Sequence, residues 1–168
     1  MTNLRRIILM TLFSVLIFIP KLLLPTPLDK LLFIIQALVL GLGALLLGKL
    51  GATYTSFIGG LLTTILRPTF FPLSLLFAVL YGVLIDVFFN VLRVKTSSTL
   101  RNSRVIISTT LSTMLTGLIT YYITAHSLGL LPRNILIEAA ILVVGTLSGA
   151  IGGWLITYLW RKGIHNYV

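Results

Sequence analysis

The chain carries three acids, two histidines and no cysteine, so any chemistry it performs rests on few side chains. Asp86 lies inside the apolar run from Phe70 to Leu92. An acid at the centre of a membrane-spanning helix costs roughly 2.5–3.5 kcal/mol and is found facing a bundle interior or water. Two readings follow. In one, Asp86 forms a structural ion pair near one rim, with Arg93 or Lys49 as partner. In the other it serves coupling or docking to a partner. A proton relay would want a second acid at similar depth, and the sequence offers none.

Glu138 opens another apolar run, where an acid suits the positive end of a helix dipole. Tyr121, Tyr122 and His126 close the run before it. Phe70, Phe71 and Gln36 fall at the same expected level. Each aromatic taken singly fits an interfacial belt. Taken together the seven make a polar-aromatic ring at one mouth, the composition of a small-molecule site.

Glycines form a third group. Gly145, Gly149 and Gly153 recur every four residues on one face, and Gly41, Ala44 and Gly48 make a second small-residue face. Small residues at that spacing let helices approach closely in lipid. They serve either packing within the bundle or docking of a partner. With Asp86, these six are the candidate docking residues.

Several functions are excluded by what is missing. There is no GxxxxGK[ST] loop, so the chain cannot itself power transport with ATP. There is no HExxH element, and His126 and His165 fall on opposite sides of the expected topology. Without cysteine there is no thiol catalysis, disulfide or Cys-ligated metal. No metal or other cofactor and no enzymatic activity are expected.

These residues must be positioned by membrane helices. The chain has 168 residues, 57% hydrophobic and 10% charged, against about 25% charged in a soluble domain. Six apolar runs are expected to span, at about 7–24, 31–48, 52–66, 70–92, 105–125 and 135–159. The first resembles a signal peptide but lacks a small-residue cleavage site before Pro20 and Lys21, so a retained helix is expected. The third is short and must tilt little or sit where the bilayer is thin. The runs are too long for β-barrel strands and do not alternate in polarity. The expectation is an all-α integral membrane protein, a single transmembrane domain over residues 1–168.

Orientation follows from the basic residues. With the N-terminus inside, the inside holds Arg5, Arg6, Lys49, Arg93, Lys95, Arg101, Arg104, Arg161 and Lys162. The outside holds Lys21, Lys30, Arg67 and Arg133. The bias favours both termini in the cytoplasm of a cell-membrane protein. The excess of 13 Lys and Arg over three acids then reflects topology, not nucleic-acid binding. The basic residues sit between apolar runs instead of forming one patch interleaved with aromatics.

The stretch LGKLGATYTSFIGGLLTTIL, Leu47 to Leu66, resembles a short helix of the substrate-binding S components of energy-coupling factor (ECF) vitamin transporters. The pattern is that of the branch for thiamine and its hydroxymethylpyrimidine precursor. PLSLLFAVLYGVLIDVF, Pro72 to Phe88, resembles the helix that follows. The resemblance implies a six-helix bundle that captures a vitamin or precursor near its outer face, with help from the loop Lys21 to Lys30. It implies association with a transmembrane coupling subunit and two cytoplasmic ATPases, and toppling in the lipid bilayer to release the ligand. The Ala-x-x-x-Ala docking motif of many such proteins is absent from the first run. The chain is also similar in length, with its Gly82-to-Asp86 spacing, to the shape-determining scaffold MreD. That alternative implies a membrane assembly subunit with no ligand.

Overall fold

The computed structural model describes residues 3–23, 33–66, 68, 71–96, 99–129 and 134–163. Six helices form: α1 Asn3–Leu23, α2 Phe33–Leu46, α3 Gly51–Leu66, α4 Leu73–Val91, α5 Asn102–Tyr122 and α6 Ile135–Arg161. All six coincide with the expected apolar runs. The basic connection after α4 contains a two-rung antiparallel hairpin, β1 Lys95–Thr96 with β2 Thr99–Leu100, pairing Lys95 with Leu100. α5 therefore starts at Asn102, inside the stretch expected to be loop. At its other end α5 runs into a π turn, Ile123–Ser127.

Three helical stretches, Leu73–Val91, Asn102–Ser127 and Ile135–Arg161, are long and apolar enough to cross a membrane, and Phe33–Leu46 is a shorter apolar helix. Their surfaces carry large apolar side chains, including Leu76, Val91, Ile107 and Leu147. A face of this kind suits a lipid environment.

The helices alternate in direction. α1, α3 and α5 begin at the end of the bundle that carries the hairpin, and α2, α4 and α6 finish there. α2 is the central helix and packs against the other five. Gln36, Ala37 and all residues from Val39 to Gly43 on it are buried.

Close packing comes from small residues. A Cβ on Gly149 would lie 2.6 Å from Thr110 Cα, and one on Gly153 would lie 2.8 Å from Ile106 Cα. α6 therefore lies with its glycine face flat on the α5 backbone. Gly152 meets Ala37 of α2 at 2.7 Å by the same measure, and Gly41 of α2 faces Ile156 and Phe89. On the far side Gly82 of α4 faces Ser56 and Ala52 of α3. Packing at this distance replaces the hydrophobic drive that lipid does not supply.

Hydroxyl side chains stitch the interfaces. Ser108, Thr109, Ser112, Thr113 and Thr116 are all buried on α5. Most donate back to their own helix, as Ser112 does to the Ser108 carbonyl at 2.8 Å. Thr109 also donates across to the Gly149 carbonyl at 2.9 Å. Tyr81 of α4 bonds Thr113 at 2.8 Å, and Ser14 of α1 donates to the Thr55 carbonyl at 3.0 Å.

Two ends are closed by backbone geometry. In the α2–α3 turn, Gly48 adopts φ +78° and Leu50 φ +61°. A glycine takes that conformation without steric cost. After α4, Arg93 sits at φ +46°, and Arg104 donates to the Leu92 carbonyl at 2.9 Å. A cation on the last carbonyls favours the negative end of a helix.

Candidate functional site

The expected mouth is assembled only in part. Tyr121, Tyr122 and His126 gather where α5 passes into its π turn. The Tyr122 and His126 rings stack at 4.6 Å and 12°, and Tyr121 meets His126 edge-on at 6.4 Å. The π turn itself lets one extra residue into the helix and re-aims the side chains that follow. Tyr122 and His126 are exposed, while Tyr121 is buried.

Tyr121 has a structural task there. Its hydroxyl accepts from the Asn134 backbone N–H at 3.0 Å and donates to the Asn134 carbonyl at 3.2 Å. Asn134 in turn caps α6, its side chain accepting from Leu136 N at 2.9 Å. Tyr121 thus fixes the residue that starts α6. Glu138 lies one turn on, exposed in the first turn of α6, in the place where the helix dipole favours an acid.

Phe71 reaches the same level. The Tyr81–Thr113 bond sets the register of α4 against α5, and Phe71 and Ile123 each lie ten residues beyond it. Phe71 is 60% exposed. Phe70, the other phenylalanine of the expected ring, lies outside the described residues, as does most of the loop from Lys21 to Lys30.

Gln36 is elsewhere. Its neighbour Ala37 packs on Gly152, fourteen residues along α6 from Glu138. At 1.5 Å per residue that is about 21 Å. The ring of Phe33 meets Tyr81 edge-on at 6.4 Å, near the middle of α4. Gln36 is a mid-bundle residue and does not join Glu138 at the mouth. The reason is register: α2 packs beside the half of α6 nearest the hairpin. Gln36 is 7% exposed.

Asp86 lies toward the hairpin end of α4 and is spent on α3. Its carboxylate accepts from Ala52 N at 3.3 Å, Thr53 N at 2.8 Å and the Thr53 hydroxyl at 2.7 Å. This is an N-cap supplied from another helix. It satisfies donors that the start of a helix otherwise leaves open.

The glycines expected as docking residues face inward. Gly145, Gly149 and Gly153 lie on α5, and Gly41 lies on Ile156 and Phe89. Packing within the bundle occupies them, which corrects the docking assignment for these four. Ala44 is half-buried, and Gly48 is exposed in the α2–α3 turn. Among the described residues no group of three or more His, Cys, Asp or Glu could hold a metal ion.

Sequence reasoning missed Thr53, Asn134 and the Tyr81–Thr113 pair. The signal for Thr53 was present: α3 begins after Lys49 and Leu50, neither of which can cap a helix. No family model matches the sequence, and no curated protein or solved structure matches it either.

Proposed function

We propose that the chain is the substrate-binding membrane subunit of an ECF-type importer, taking a small organic solute into a six-helix bundle whose two termini lie in the cytoplasm. The observation that carries this reading is Gln36. It is a polar side chain buried at mid-bundle, 7% exposed, where its amide can offer a donor and an acceptor to a bound solute. Tyr81 and Thr113, already bonded to each other, supply further polar groups at mid-bundle. A vitamin or vitamin precursor, thiamine-related as a first choice, meets this description: a flat ring with several hydrogen-bonding edges. The chain has no nucleotide-binding motif, so energy would come from a coupling subunit and two ATPases. The basic residues at the hairpin end agree with a cytoplasmic placement.

A second reading is a membrane scaffold of the MreD kind. The exposure of Phe71, Tyr122 and Glu138 favours it, because these side chains stand open instead of enclosing a ligand. The test is native mass spectrometry on gently purified protein, followed by a thiamine and hydroxymethylpyrimidine titration. A retained small molecule that is lost in Gln36→Leu supports the importer reading. A co-purified membrane protein with no small molecule, and no binding of either compound, replaces it with the scaffold.

A further inference from the structure

α3 with α4, and α5 with α6, make two antiparallel pairs, each fastened along its length. In the first pair Asp86 bonds Thr53 toward the hairpin end, and Gly82 lies on Ala52 and Ser56. Farther along, a Cβ on Gly60 would lie 3.0 Å from Ala78 Cβ, and Thr64 and Ser74 share a hydrogen bond of 3.2 Å near the far end. In the second pair Gly153 and Gly149 lie on α5, and a Cβ on Gly117 would lie 2.9 Å from Ile141. Tyr121 holds Asn134 at the far end.

The two pairs meet most closely at the hairpin end. There the Arg101 N–H donates to the Val94 carbonyl at 3.1 Å, and Arg104 donates to the Leu92 carbonyl at 2.9 Å. Lys95 of the hairpin lies 5.5 Å from the Trp160 ring centroid on α6, and Val94 and Val105 are buried. About halfway along, Tyr81 bonds Thr113 at 2.8 Å. Thr113 has one hydroxyl proton and donates it to the Thr109 carbonyl at 2.7 Å, so Tyr81 is the donor between the pairs. α2 wedges between them from this level toward the hairpin. It starts at Phe33, whose ring meets Tyr81, and it packs on α6 through Ala37 and Gly41 and on α3 through Gly43. Beyond this level α4 has no buried residue from Leu73 to Leu80, and α6 has none from Ile135 to Val144.

Close packing is what holds helices together in lipid, and a region with few buried contacts opens at low cost. We propose that the two pairs part and close at the far end about a hinge at the hairpin, with the Tyr81–Thr113 bond as the latch. From Leu92 to Leu76 is sixteen residues, about 24 Å of helix, so a tilt of about 12° moves the far end by about 5 Å. Parting exposes Gln36, Tyr81 and Thr113 to the far face. The hinge follows from packing alone, so it stands or falls separately from the importer reading.

The test uses the full-length chain in lipid nanodiscs. The chain has no cysteine, so introduced cysteines can carry nitroxide labels whose separation is read by electron paramagnetic resonance. The labelled positions are all exposed. Leu76→Cys with Glu138→Cys spans the two pairs at the far end, and Asn90→Cys with Ser103→Cys spans them at the hairpin end. Leu61→Cys with Leu76→Cys lies within the first pair. The far-end separation is expected in two populations about 5 Å apart, and each of the others in one. Tyr81→Phe keeps the ring against Phe33 and removes the latch. It should raise the open-to-closed ratio about five-fold, the effect of one ordinary hydrogen bond. Thr113→Val removes the acceptor and should do the same. Ser74→Ala, which removes a bond inside the first pair, should leave the ratio as it is. A single far-end separation in both wild type and Tyr81→Phe overturns the proposal. Two populations at the hairpin end or within the first pair also overturn it, because the bundle then loosens throughout. So does an unchanged ratio in Tyr81→Phe and Thr113→Val, or a Ser74→Ala shift as large as theirs.

Discussion

Asp86 caps a helix to which it does not belong: its Oδ2 accepts from both the backbone N–H and the hydroxyl of Thr53, at 2.8 and 2.7 Å, across 33 residues of sequence. The arrangement accounts for an acid in an apolar run. α3 starts after a tight turn of Gly48, Lys49 and Leu50, with no side chain of its own to meet its first donors. α4 brings the missing acceptor, and Gly82 one turn away lets α4 come close enough to deliver it. The carboxylate also meets the positive end of the α3 dipole.

Removing that cap should loosen α3 more than α4. Asp86→Ala is expected to lower stability by about 2 kcal/mol, the upper range for a lost N-cap. Asp86→Asn keeps an acceptor and should cost less. Thr53→Ala removes one of the three bonds, and its effect should be smaller in an Asp86→Ala background than alone. Thermal unfolding in detergent, followed by circular dichroism, measures all four variants. Additive losses would show that Asp86 and Thr53 act separately.

The interior glycines give a second expectation. Gly149→Val should force α6 off α5, because a Cβ there lies within 3.0 Å of Thr110 backbone atoms. Overpacking of this kind costs roughly 1–3 kcal/mol, occasionally more. Gly145→Ala should be milder, since its nearest contact is 3.4 Å. The order of melting temperatures, wild type above Gly145→Ala above Gly149→Val, is the outcome to look for.

How far the sequence told this structure depends on the question asked. The six helices were legible, because apolar runs of spanning length have few other fates. The ends were less so. α5 begins three residues earlier than its apolar run because Arg104 can reach back to the Leu92 carbonyl. Gln36 was misplaced because a linear count cannot tell how far one helix slides along another. That register is set by Gly152 against Ala37 and Gly41 against Ile156, contacts more than a hundred residues apart. Asp86 looked for a cation because cations are what sequence displays. Its hydrogen bonds come from backbone and hydroxyl groups that no composition reveals. The aromatic cluster was legible as a cluster, but the bonding of Tyr121 to Asn134 was not.

Tyr121 and Tyr122 are adjacent in sequence and should behave differently. Tyr121→Phe loses both bonds to Asn134 and is expected to cost about 1 kcal/mol in stability. Tyr122→Phe keeps the stack on His126 and should melt like wild type. A solute titration of the same two variants separates structure from binding. Neither is expected to change affinity, because the polar groups assigned to the solute lie at mid-bundle. A loss of affinity in Tyr122→Phe without a loss of stability would return the site to the mouth.

Topology offers the cleanest separation of the two ends of the bundle, because the native chain has no cysteine to remove. Single cysteines at Glu138 and Arg101 lie on exposed positions at opposite ends. With both termini cytoplasmic, a membrane-impermeant maleimide should label Glu138→Cys in intact cells and leave Arg101→Cys untouched until the membrane is opened. In that orientation the basic residues at the hairpin end, Lys95, Arg101 and Arg104 together with Arg161 and Lys162 at the end of α6, would keep that end inside. Labelling of Arg101→Cys from outside would reverse the bundle. It would place the basic hairpin end at the outer face, and move the polar-aromatic end, with Glu138, to the cytoplasm.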